Sequence, residues 1–336
     1  MTTMSRARLV TLICWIISAL ALLGLAVWVL FGGIFGIGFD FGVGTFDPVG
    51  THSVSADNID AIDIDWTSGA VYIGTHHGND IRITEFARRS LRDNEELWLD
   101  TNGGTLAVRF AEHHGVRRGN MLTKQLEILI PYTLSQNLDS FSVNTVSGRI
   151  AADDIHAADF LAGTTSGRIE LGGIIAQDLR VTTTSGRIEL RNITAQTVNA
   201  STTSGRIEVF RAEADEISLR TVSGRITTTD TEAQSLRTHT TSGRHELFGT
   251  FGYVNARSTS GRIEILSRIV PERVVAHATS GRIELTVPVT DAVHVQYSTG
   301  SGRFRSDIPV VTHGGADAQF NLSTTSGRIS IFALAG

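Results

Sequence analysis

The chain has one cysteine, Cys14, in 336 residues, so no internal disulfide framework holds it together. It has only five prolines against 34 glycines, a balance that suits many tight corners. It has little excess charge. The formal net charge is −5, which gives no sign of the basic patch that nucleic-acid binding needs. The glycine-aspartate repeat of calcium-binding β-rolls is absent.

Residues 9–39 carry no charged side chain. The core of that run, Leu9–Phe31, is long enough to cross about 30 Å of hydrocarbon. It is too long for the apolar region of a cleaved signal peptide and shows no clear cleavage site, so it reads as an uncleaved anchor. Cys14 is preceded by Ile13, which does not fit a lipoprotein cysteine. Arg6 and Arg8 precede the run, while Asp40 and Asp47 follow it. The positive-inside rule then leaves residues 1–8 as a cytoplasmic stub and puts the rest outside a cell membrane crossed once. Residues 32–50 form a linker rich in glycine and phenylalanine. Phe35, Phe39, Phe41 and Phe46 suit the lipid–water interface or a dock under the first coil.

What is abundant is a tripeptide. Ser-Gly-Arg occurs at Ser147-Gly148-Arg149, Ser166-Gly167-Arg168, Ser185-Gly186-Arg187, Ser204-Gly205-Arg206, Ser223-Gly224-Arg225, Ser242-Gly243-Arg244, Ser260-Gly261-Arg262, Ser280-Gly281-Arg282, Ser301-Gly302-Arg303 and Ser326-Gly327-Arg328. The first six serines are 19 residues apart, and the later gaps are 18, 20, 21 and 25. A fixed period near 20 marks a solenoid of stacked coils. With each serine as position zero, apolar residues fall at −6 and −4 and threonine at −2, as in Leu179, Val181 and Thr183. They fall again at +3 and +5, as in Ile188 and Leu190. This is period-two alternation, so both segments are strands with one buried face. The two strands meet at Ser-Gly, where glycine permits the backbone angles of a corner. A third segment, Ile174/Ala176 and Ile193/Ala195, sits at +8 and +10.

The pattern predicts an all-β, single-stranded β-helix with coils of about 19 residues, preceded by one N-terminal transmembrane helix. Strand crossovers favour a right-handed coil. Ten coils would make a rod of roughly 50 Å. Residues 141–336 form the regular solenoid. Residues 51–140 read as irregular starting coils. There, Trp66–Val71 is a degenerate first copy, Thr101–Leu106 has the same corner-then-strand shape, and 87–96 is a helical excursion or a loop. An uncovered last coil would expose strand edges and invite end-to-end self-association.

Arg at +2 and Glu at +4 lie on the outer face, with Glu170, Glu189, Glu208, Glu246, Glu264 and Glu284 placed to offset the arginine column through diagonal pairs. The alternative use of that column is to bind an anionic envelope polymer. Two acidic clusters, Asp153-Asp154 and 213–216, fall at predicted turns and do not repeat. They are the nearest approach to the carboxylate pair of a glycosidase. His76-His77 and His113-His114 are adjacent pairs, and neighbours on a strand point to opposite faces, so neither pair alone makes a metal site. An outward threonine ladder at −1 is interrupted by Val146, Val222 and Gly300.

Together the segments Asp63–Val71, Leu126–Pro131 and the repeated Thr-Ser-Gly-Arg-Ile resemble the DUF4097 family of bacterial envelope proteins, with its LiaG-like members from cell-envelope stress operons. The resemblance covers residues 51–336. It implies a β-helical domain displayed outside the membrane, adhesive in role, with no catalytic residues to carry over. The expectation is therefore a non-enzymatic surface solenoid without cofactor or metal. It would be an adhesin or envelope scaffold whose partners are the membrane and envelope polymers or surface ligands. A regulatory or sensing role in envelope stress is the alternative, and a polysaccharide-acting β-helix enzyme is a distant third.

Overall fold

The computed structural model describes residues 46–111, 122–290, 292–311 and 318–334. They belong to one compact unit, Phe46–Gly336. Nearly all of it is strand, with one three-residue 3-10 turn at Asp93–Glu95 and one four-residue helix at Tyr132–Ser135. The expected membrane span lies outside the described residues, among which no helix is long and apolar enough to cross a membrane.

The core is a set of columns. At +3 the residues Ile150, Ile169, Ile188, Ile207, Ile226, His245 and Ile263 stack in parallel register. The isoleucines among them are fully buried. Residues at −6 and −4, such as Leu179/Val181 and Ile217/Leu219, form further columns. β-Branched and leucine side chains suit such a pleated, buried face. Parallel strands lie about 4.8 Å apart, so each side chain packs on its counterpart in the next coil.

Each Ser-Gly corner is tied across coils by paired backbone bonds. Gly186 N–H donates to Ser204 O at 3.2 Å, and Ile188 N–H donates to Arg206 O at 2.9 Å. The buried −2 threonine closes the corner from inside. Thr221 Oγ1 donates to Gly205 O at 3.3 Å, and Thr202 donates likewise to Gly186 O at 3.4 Å. The physical reason for glycine differs from the expected one. At most of these corners the backbone is not in the left-handed region at all. A Cβ on Gly205 would sit 2.8 Å from the carbonyl carbon of Gly186 and closer still to its oxygen. Glycine is required because backbone stacks directly on backbone there.

A second corner lies at +7. Asp154, Gly173, Asn192, Arg211 and Asp230 all have φ between 51° and 60°. Asp, Asn and Gly tolerate this left-handed conformation, which arginine resists. The ladder between 188–204 and 207–223 skips Asn192 and then Gln196, so each coil has three sides. The 18-residue gap has a local cause. Thr228 pairs with Leu247 but Thr231 pairs with Gly249, so one residue has been deleted at the second corner. The acidic run 213–216 lies within the continuous strand Ile207–Ser223 and straddles its third corner, where the ladder skips Asp215.

The coils do not stack in sequence order at either end, contrary to expectation. Strand Arg273–Ser280 pairs with Gln319–Ser326, which pairs with Val293–Ser301 on its other side. The last coil of the sequence is therefore slotted in as the penultimate layer, and the Ser301 coil is outermost. The 21- and 25-residue gaps provide the chain for this crossing. The other end mirrors it. Strand Ala61–Ser68 lies between Thr105–Arg109 and Leu138–Ser147. Strand Val71–His76 likewise lies between Lys124–Pro131 and Ile150–Asp153. Trp66–Val71 is thus the layer directly under the Ser147 coil, with Ser68 opposite Ser147.

Beyond these layers the N-terminal end turns antiparallel. Asp80–Ala87 pairs with Lys124–Pro131 and with Asp47–Ser55, so the last part of the expected linker is a strand. Phe46, also in that linker, lies under the Arg88 guanidinium at 4.8 Å. Thr101–Leu106 is not a solenoid corner. It is a hairpin joining Trp98–Asn102 to Thr105–Arg109 through Gly103 and Gly104, both at positive φ. Under this cap Lys124 is fully buried. It pairs with Glu85 at 2.5 Å and lies 4.1 Å from the Phe110 ring centroid and 5.0 Å from that of Trp66.

Candidate functional site

The repeated corner carries an interleaved charge ladder. Arg168 contacts both Glu170 of its own coil and, at 2.5 Å, Glu189 of the next. Arg149 reaches Glu170, Arg262 reaches Glu284 at 2.5 Å, and Arg225 reaches Glu246 at 3.7 Å. Glu189 is engaged by Arg168, Arg187 and Arg191. Burial pushes its carboxyl up, but the hydrogen bonds from Arg168 and Arg187 outweigh this and hold it below the ordinary range. The same bond to Glu189 raises the Arg187 guanidinium. These pairs are mostly half-exposed, so each contributes about 0–1 kcal/mol. What they accomplish is neutrality, since a bare arginine column at the stacking distance would repel itself.

The other residues singled out from sequence are distributed, not assembled. His76 is consumed locally. Its Nε2 faces Asp80 O at 2.9 Å, and its Nδ1 accepts from Gly78 N–H at 3.1 Å. His113 and His114 lie outside the described residues. Among the described residues no three His, Cys, Asp or Glu side chains converge as a metal set. Asp63 is paired with Arg109 at 2.5 Å. Burial raises the Asp153 carboxyl, with a smaller contribution from neighbouring Asp154.

Two departures from the repeat carry unusual chemistry. His245 occupies an isoleucine position and is fully buried. Its Nδ1 meets Thr238 Oγ1 at 2.9 Å, while Nε2 has no partner. Burial pushes its pKa down to about 4, so it is a neutral imidazole in the core.

The second departure was not recognised from sequence. At position −3, on the outer face, Ser201, Arg220, His239, Arg257 and His277 are direct neighbours in successive coils. Arg220, His239 and Arg257 are all exposed. Burial, then Arg220, then Arg257 hold the His239 pKa below its ordinary value. The signal was available, because the three residues are 19 and 18 apart and fall into line once the serines are aligned.

This fold is an all-β solenoid of stacked three-sided coils with antiparallel strands over one end. The DUF4097 (Toastrack) family profile matches residues 59–210 and 178–332. The chain belongs to that family. The chain is also similar to several solved structures. A "putative adhesin" from Parabacteroides distasonis is 14% identical, with 86% of this chain and 98% of that one aligned at a TM-score of 0.48. A second "putative adhesin", from Parabacteroides merdae, is 14% identical, with 86% and 97% covered and a TM-score of 0.47. A "putative lipid binding protein" from Parabacteroides distasonis is 12% identical, with 86% and 98% covered and a TM-score of 0.45. No curated protein matches.

Proposed function

We propose that this chain is a non-catalytic, membrane-anchored surface solenoid. It acts as an adhesin or envelope scaffold, with residues 9–31 as the anchor and the β domain outside. One observation carries the reading. Parallel register is kept coil after coil, so the same outward side chains recur in straight lines along the stack. A multivalent surface can be built this way, because repeated groups that engage one polymer together bind it more tightly than any one of them alone. The neutralised Arg–Glu ladder supports it too, since it removes charge that would otherwise make the surface indiscriminate. The anchor and its orientation rest on the apolar run and on Arg6 and Arg8.

The test presents the full chain on cells and measures retention on cell-wall polymer and on host matrix, with the residue 9–31 segment native or replaced by an unrelated span. An adhesin retains its ligand with either span. A regulator working through its span loses its effect on envelope stress when the span is exchanged. Retention on neither surface, in cells that display the domain, refutes the adhesive reading.

A further inference from the structure

The outer face at position −3 breaks the rule of neutrality that the Arg–Glu ladder keeps. Arg220, His239 and Arg257 face one another across successive coils, at the roughly 4.8 Å strand spacing. Each of the two arginines makes no ion pair among the described residues, whereas Arg237 beside them is paired with Glu216. His277 continues the line and shares its Nδ1 with Ser323 Oγ at 2.8 Å. Like charges on neighbouring strands are destabilising, and here the two arginines flank His239 from either side. Eight of the ten Ser-Gly-Arg arginines have a carboxylate beside them, from Arg149 to Arg282, whereas this outer line has none among the described residues.

These groups rim a shallow recess of about 210 Å³, lined also by Ser218 and Asn255. Asn255 Nδ2 donates to Tyr253 Oη at 3.2 Å, while its Oδ1 is buried without a partner. The recess thus offers two planar guanidinium forks, an imidazole and an unfilled acceptor. Guanidinium forks match the oxygens of a phosphate in bidentate fashion. The free acceptor matches a hydroxyl beside that phosphate. No Phe, Tyr or Trp ring lines the recess, so it lacks the large aromatic platform on which nucleobases commonly stack.

We propose that Arg220, His239 and Arg257 form a binding site for one phosphate group of a sugar-phosphate or polyol-phosphate polymer, with Asn255 accepting from an adjacent hydroxyl. This gives the adhesive reading a ligand class and rests on it. A soluble probe tests the site without asking whether cells adhere, so the two can fail separately.

The full-length chain in detergent micelles is titrated with a fluorescent glycerol-phosphate oligomer at low salt, followed by anisotropy. Arg220→Ser with Arg257→Ser is expected to weaken binding at least tenfold. Arg206→Ser, on the charge ladder, is expected to change it less than twofold. The thermal midpoint of the double variant should hold or rise, because a repulsion has been removed. His239→Thr, tested alone, should weaken binding severalfold, and more at pH 6 than at pH 8. Unchanged affinity in the folded double variant overturns the site. Equal affinity for duplex DNA of matched charge overturns the ligand class. Binding of inorganic phosphate as tight as that of the oligomer overturns the polymer and its hydroxyl contact.

Discussion

Replacing Gly205 by alanine tests the claim that backbone stacks on backbone at the corners. The added methyl would lie 2.8 Å from the carbonyl carbon of Gly186 and 3.1 Å from Thr202 Oγ1, with the Gly186 oxygen nearer still. Neither neighbour is a flexible chain end. Gly186 is held by its N–H bond to Ser204 O at 3.2 Å, and Thr202 by its bond to Gly186 O at 3.4 Å. Relief requires the two coils to part by more than an ångström at that point, which breaks these bonds. Two lost bonds at about 1 kcal/mol each, with overpacking strain of about 1–3 kcal/mol, put the cost near 3–5 kcal/mol. Gly103→Ala is the control. It has open space around it, and only its φ of +59° opposes a side chain, at about 1–2 kcal/mol. Denaturant titration of both variants should give the larger loss for Gly205→Ala. A Gly205→Ala variant within 0.5 kcal/mol of the native chain would refute the stacking argument and restore the conformational one.

Three further outcomes follow from the core and the second corner. His245 has a folded pKa near 4 against about 6.5 unfolded, so the unfolded chain takes up the proton first. Stability should be complete above about pH 6.5 and fall by up to about 3 kcal/mol as pH drops toward 4. His245→Ile should flatten that limb in thermal melts across pH. Lys124→Met leaves Glu85 as a buried charge without its cation and should cost about 3–5 kcal/mol, with much of that recovered by adding Glu85→Gln. Double-mutant melts check this, and an unrepaired double variant contradicts it. Arg211 holds φ +54° where its counterparts are Asp, Gly and Asn, so Arg211→Asn should raise stability by about 0.5–1 kcal/mol in the same denaturant assay.

The coil itself was legible because its signal is one-dimensional: period 19 along the chain and period two within each strand. The second corner was equally legible in principle, since Asp154, Gly173, Asn192 and Asp230 are residues that accept a left-handed backbone. It was read only in part: Asp153-Asp154 was placed at a turn, but Gly173, Asn192 and Asp230 were not aligned with it. The reason for glycine was misassigned because it was judged within a single coil, while its constraint comes from the coil next to it. The order of the end layers depends on which strand edges pair, and Ser280, Ser301 and Ser326 look alike to any local reading. Only the lengthened gaps hinted at a crossing. Arg220, His239 and Arg257 were hidden for the opposite reason, because on a polar outer face two arginines and a histidine look ordinary until neighbouring coils are superposed.

The crossed layers at both ends have a bearing on how such a molecule can change length. Because Gln319–Ser326 is wedged between two earlier strands, and Ala61–Ser68 likewise, each terminus works as a clasp that needs three particular segments. Duplicating a segment there would leave a surplus strand with nowhere to lodge. Gaining or losing a whole 19-residue unit between Ser166 and Ser242 disturbs neither clasp, so the midsection is where this architecture is free to grow.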